Sequence, residues 1–105
     1  KEALADFDRC IELAPMNPEA YFFRARIYLD WKLLGNAQTD AQNAARLAPS
    51  PHSYHLLGTI LLEKGNPRKA IVAFQNALAH AVDTEIRTEI ERALQRAKRD
   101  EEMDR

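Results

Sequence analysis

Small and bulky apolar residues return along this chain at steps of four and then three, with polar residues between them. The groups are Ala3, Phe7 and Cys10; Tyr21, Ala25 and Tyr28; Ala37, Ala41 and Ala44; Tyr54, Gly58 and Leu61; and Ala70, Phe74 and Ala77. Positions spaced in that way share one face of a helix, so each group predicts an amphipathic helix with one buried stripe. A further stripe, Ile86, Ile90, Ala93, Leu94 and Ala97, follows in a strongly charged background. The helix starts are marked as well. Asn17 with Pro18, Ser50 with Pro51, and Asn66 with Pro67 each pair a side-chain acceptor with a residue that needs no amide partner. Asp83, Thr84 and Glu85 place acid at the positive end of another helix dipole. The expected helices run over about 1–13, 18–33, 36–48, 51–64, 67–80 and 84–100, and no strand is expected.

The groups also repeat one another. Ala3, Phe7, Cys10 and Pro15 recur as Ala37, Ala41, Ala44 and Pro49, and once more as Ala70, Phe74 and Ala77. Tyr21, Ala25 and Tyr28 recur at a matching step as Tyr54, Gly58 and Leu61. A constant period of this size, within the range of roughly 20–50 residues typical of repeat architectures, means stacked helical hairpins rather than one globular core. Such a stack has an elongated surface and few enclosed pockets, which favours binding over chemistry.

The run Tyr21, Arg24, Ala25, Tyr28, Ala37, Ala41, Ala44, Pro49 resembles the tetratricopeptide repeat, departing from it at Arg24, where Leu is common, and at Ala41, where an aromatic is common. Tyr54, Leu57, Gly58, Leu61, Gly65, Ala70, Phe74, Ala77 follow the pattern more closely, with Val82 in place of the closing Pro. The resemblance covers about residues 1–82 and implies an all-α fold, an α-solenoid of antiparallel helical hairpins with a C-terminal capping helix. Its units would be residues 1–17, the second helix of a truncated unit; 18–50 and 51–82, two full units; and 83–105, the capping helix and a charged tail.

The residue types have a physical reason apart from the family. Antiparallel helices approach closely where side chains are small, so Ala25 and Gly58 should face Ala37 and Ala70, with Ala44 and Ala77 against the next helix. Tyr21, Tyr28, Tyr54, Phe7 and Phe74 fill the space beside those contacts, and Trp31 reads as a core plug near its helix end. Cys10, aligned with Ala44 and Ala77, reads as a small buried packing residue. Arg24 and Asp40 appear together in one unit and become Leu57 and Ala73 in the next, which suggests that they meet; Asp6 is the other candidate acid. Residues 1–13 carry a second-helix pattern with no first helix before them, so one apolar face awaits either further repeats of a longer chain or another subunit. Beyond Ala97 the mixed charges have little to bury, and residues 98–105 are expected to project or fray.

Composition narrows the function. The 105 residues carry 15 Lys and Arg against 16 Asp and Glu, scattered along the chain, which weighs against an RNA-reading helical repeat and its basic face. No run is long and apolar enough to span a membrane, so no membrane partner is expected. One Cys permits no internal disulfide, and a cytoplasmic location is expected. There is no Gly-rich phosphate loop and no Ser, His and Asp arrangement that spacing would recommend, so the chain is not read as an enzyme and no cofactor is implied. His52 and His55, with His80 remote, lack a flanking carboxylate at ligand spacing, and no metal is expected.

What remains is a protein-interaction module. The resemblance implies a concave groove lined by first helices, with Glu19, Phe22, Phe23, Arg26 and Asp30 from one unit and His55, Leu56, Thr59, Leu62 and Glu63 from the next. Its partner would be a protein or peptide laid along that groove; the alternative is self-assembly as a homo-oligomer or with further repeats. The family's chaperone-tail binders grip a terminal carboxylate with Lys and Asn, whereas Phe22, Phe23, Arg26, His52 and Leu56 stand at the matching places here, so the resemblance does not extend to that role.

Overall fold

The computed structural model describes residues 2–103; the expected helix start at Lys1 and the tail residues Asp104 and Arg105 lie outside the described residues. Six helices follow in order: α1 (Glu2–Leu13), α2 (Pro18–Asp30), α3 (Leu34–Leu47), α4 (Pro51–Glu63), α5 (Pro67–His80) and α6 (Thr84–Met103), with no strand among the described residues. The caps act as the sequence implies. Asn17, Ser50 and Asn66 accept hydrogen bonds from the backbone N–H of Glu19 (3.1 Å), Ser53 (3.1 Å) and Lys69 (3.3 Å), and Asp83 accepts from Glu85 (2.9 Å).

α2 ends before the expected position and α3 begins before its own, and the turn between them explains why. The N–H groups of Lys32 and Leu33 donate to the carbonyls of Leu29 and Tyr28 (both 2.9 Å), the double closure that ends a helix with a left-handed residue. Gly65 and Asn66 close α4 in the same way onto Leu62 and Leu61. Gly65 has φ +80°, natural for glycine, but the equivalent residue is Lys32 at φ 62°. Trp31, expected as a core plug, caps α2 and is 43% exposed, because the helix stops before it can turn that side chain inward.

Each helix packs on the next in chain order, most extensively within the hairpins α2–α3 and α4–α5. Two clusters result rather than one core. Ala25, Ala37, Ala41, Leu56 and Ile60 join α2, α3 and α4; Leu61, Ala70, Phe74, Ala77, Ile90, Leu94 and Ala97 join α4, α5 and α6. Serial clusters of this kind are the packing of a repeat array, in which each unit buries its face only against its neighbours. Complete burial of Phe74 is worth about 2–3 kcal/mol of transfer free energy, so it anchors its hairpin.

Small residues do set the close approaches. Ala25 and Ala37 share one buried cluster, and Gly58 lies against the Phe74 ring of its hairpin: a Cβ at Gly58 would stand 2.6 Å from that ring. Cys10 is exposed instead of buried. Ala44 and Ala77 are covered by the hairpin partner and the following helix together, whereas α1 has only α2 against it among the described residues. The segment expected to fray is helical through Met103, with Asp100 and Glu101 half-buried and Glu101 lying 3.7 Å from Arg68 of α5. Its Lys, Arg, Glu and Met residues are good helix formers, which the expectation from burial alone overlooked.

A candidate partner-binding trough

α2, α4 and α6 stand side by side, α6 taking the place that the first helix of a following hairpin would take. Two open hollows run between their N-terminal halves. The first, of about 510 Å³, has Pro18, Glu19, Phe22, Phe23 and Arg26 of α2 on one side and Ser50, His52 and Ser53 on the other, over Ala44 and Ala48. Its floor can be deep because those alanines are small. Ser53 is buried at its edge and hydrogen-bonded to the Ser50 hydroxyl (3.0 Å). Phe23 is 40% exposed, stacked on Phe7 (5.9 Å) and edge-on to Phe22 (5.3 Å), while Phe22 packs against the α2–α3–α4 cluster. The second hollow, of about 660 Å³, lies between the start of α4 and the start of α6, with His52 lining both.

Of the residues expected in a groove, the structure brings Glu19, Phe22, Phe23 and Arg26 together in the first hollow. Asp30, His55, Leu56, Thr59, Leu62 and Glu63 line neither hollow. Asp30 ends α2 and is exposed; Leu56 is buried in the α2–α3–α4 cluster and Leu62 packs against the α4–α5–α6 cluster. The Thr59 hydroxyl donates to the His55 carbonyl (3.0 Å), and Glu63 pairs with Lys32 across the hairpins (3.1 Å). His55 is half-buried beside the Phe74 ring (5.7 Å), and that burial lowers its pKa from the ordinary 6.5, Glu89 opposing and His52 adding to the fall.

Sequence reasoning missed the contribution of α6, though the repeat period contains it. Moving His52, His55, Leu56 and Thr59 forward by one period, the step from Tyr21 to Tyr54, gives Glu85, Thr88, Glu89 and Arg92, and all four line the second hollow. Reading α6 only as a cover hid that register.

Elsewhere one guanidinium ties three helices. Arg24 of α2 makes two hydrogen bonds to Asp40 of α3 (2.7 and 2.8 Å) and one to Asp8 of α1 (2.8 Å), between the rings of Tyr21 and Tyr28. The Asp40 bonds raise its pKa above the ordinary arginine value against the opposing effect of burial. The expected Asp40 partner is present; the α1 partner is Asp8 rather than Asp6, because Asp8 lies on the half-buried side of α1 and Asp6 is exposed.

Serial helical hairpins whose first helices border a shared trough define an α-solenoid. The family profile described as tetratricopeptide repeat matches residues 18–51 and 51–79, and the chain belongs to that family, whose repeats generally mediate protein–protein interactions. Among solved structures, TTC0263, a thermophilic tetratricopeptide repeat protein of Thermus thermophilus, is similar at a TM-score of 0.79 and 21% identity over 89% of this chain, a likeness of fold. This chain spans about half of that one, 48%. No curated protein matches the chain. No described helix is long and apolar enough to cross a membrane.

Proposed function

We propose that this chain is a scaffold segment that holds a protein segment in the trough bordered by α2, α4 and α6. The observation that carries the reading is the hollow under Phe23, where exposed aromatic surface, small floor residues and flanking charges occur together. An open trough of this form suits an extended peptide or an amphipathic helix better than a small metabolite, which needs enclosure. The units are 18–50 and 51–82, preceded by the second helix of another unit in 1–17 and followed by a capping element in 83–105 that also borders the trough. Phe23→Ala and Arg26→Ala should abolish capture of a binding peptide while leaving helical circular dichroism unchanged. Unaltered capture by both variants contradicts the reading.

A second reading draws on α1. Ala3 and Cys10 are exposed where Ala37 and Ala44 are buried, and Leu13 is 81% exposed, which supports a further repeat or a second copy on that face. Light scattering that shows a monomer at every concentration would remove the second copy.

A further inference from the structure

The two hollows differ in chemistry. In the α2–α4 hollow the walls are Phe22 and Phe23, and its charges, Glu19 and Arg26, are opposite in sign. In the α4–α6 hollow Val82 and Ile86 lie among Asp83, Glu85 and Glu89, and Arg92 is the cation beside them. Three carboxylates to one guanidinium leave two negative charges. The helix dipole at the start of α6, equivalent to about half an elementary charge, offsets only part of that. Glu85 and Glu89 are exposed, and the ion pairs among the described residues use other acids: Asp8, Asp40, Glu63 and Glu101. These two carboxylates are therefore available to a partner.

We infer that the trough's occupant is an extended segment of another protein that carries a bulky apolar side chain and, nearby, a Lys or Arg, the first seated under Phe23 and the second between Glu85 and Glu89. The hollow under Phe23 lies between α2 and α4 and the two acids lie on α6. With neighbouring helix axes about 8–10 Å apart the crossing is about 12–15 Å, and an extended chain advancing about 3.3 Å per residue places the two side chains about four positions apart. His52, which lines both hollows, lies under the residues between them. The inference rests on the proposal that the trough binds a protein segment, and adds the chemistry of that segment.

Selection of random displayed peptides on the immobilised chain, followed by affinity measurement on synthetic copies, tests it. Selected peptides should share an aromatic or large aliphatic residue with a basic residue about four positions away. Replacing that basic residue by Gln should weaken binding about two- to fivefold, as expected for solvent-exposed charge pairs. The loss should shrink in about 0.5 M salt and vanish on Glu85→Gln/Glu89→Gln. Glu89→Lys should shift selection toward peptides with an acid at that place. Peptides selected without a basic residue, or bound equally by Glu85→Gln/Glu89→Gln, overturn this inference while leaving the trough reading intact. Peptides that bind but ignore both Phe23→Ala and the acidic-residue changes overturn the trough itself.

Discussion

At Gly58 the backbone of α4 lies directly against the Phe74 ring, and at the equivalent places one repeat earlier stand Ala25 and Ala41. The two hairpins thus reach a similar approach by opposite divisions of volume, a methyl group on each side in one and a bare backbone against a ring in the other. Gly58→Ala should cost about 1–3 kcal/mol through overpacking, in spite of the better helix propensity of Ala. In a Phe74→Ala background the same change should be neutral or stabilising, and chemical denaturation of the four proteins of that cycle checks the coupling. Lys32 offers the opposite test. Lys32→Gly relieves a left-handed backbone that costs an ordinary residue about 1–2 kcal/mol and forfeits only an exposed ion pair to Glu63, so the melting temperature should rise. His55 carries a pH dependence. Its folded pKa lies below its unfolded one, so the unfolded chain takes up the proton first and stability falls as pH drops below about 6.5. Melting at about pH 7.5 and about pH 5.5 should show a smaller loss for His55→Gln than for the unaltered chain. The pairing of Arg24 with Asp40 could be read from the sequence because both charges are replaced together in the next unit. Asp8 could not, because its contact crosses between hairpins, where the alignment of equivalent positions carries no register.

The starts of α2, α4, α5 and α6 were legible because each carries its own chemistry: an Asn, Ser or Asp acceptor, followed in three cases by Pro. α3 begins without a side-chain cap, at Leu33 and Leu34, and its boundary was accordingly misplaced. What decided it was the left-handed turn at Lys32, and lysine gives no sign of that conformation. α6 was recognisable as a helix from its stripe, but not as a wall of the trough, since its polar side looks like any solvated helix face. Its energetic weight should sit on the stripe. Ile90 is fully buried, and Ile90→Ala should cost about 2–5 kcal/mol in denaturant unfolding. Arg68→Ala, which removes a largely exposed contact to Glu101 at 3.7 Å, should cost less than about 1 kcal/mol. Comparable losses from the two changes would mean that the helix end, rather than its apolar stripe, holds α6 in place.

The whole molecule measures 42 × 29 × 19 Å, an elongated stack in which serial clusters replace a single centre. That shape follows from the period: each hairpin buries its face against its neighbour, which aligns the first helices and leaves a trough along them. His52 stands opposite Phe22, Phe23 and Arg26 because it holds on α4 the place that Glu19 holds on α2 one repeat earlier, and the same step carries Glu85 into line on α6. The most direct test is a two-dimensional NMR titration of the isotope-labelled chain with a peptide selected on it. Binding in the trough predicts shifts concentrated at Phe23, Arg26, His52, Glu85 and Glu89. Shifts centred on α1, α3 or α5, with those residues unmoved, would contradict it.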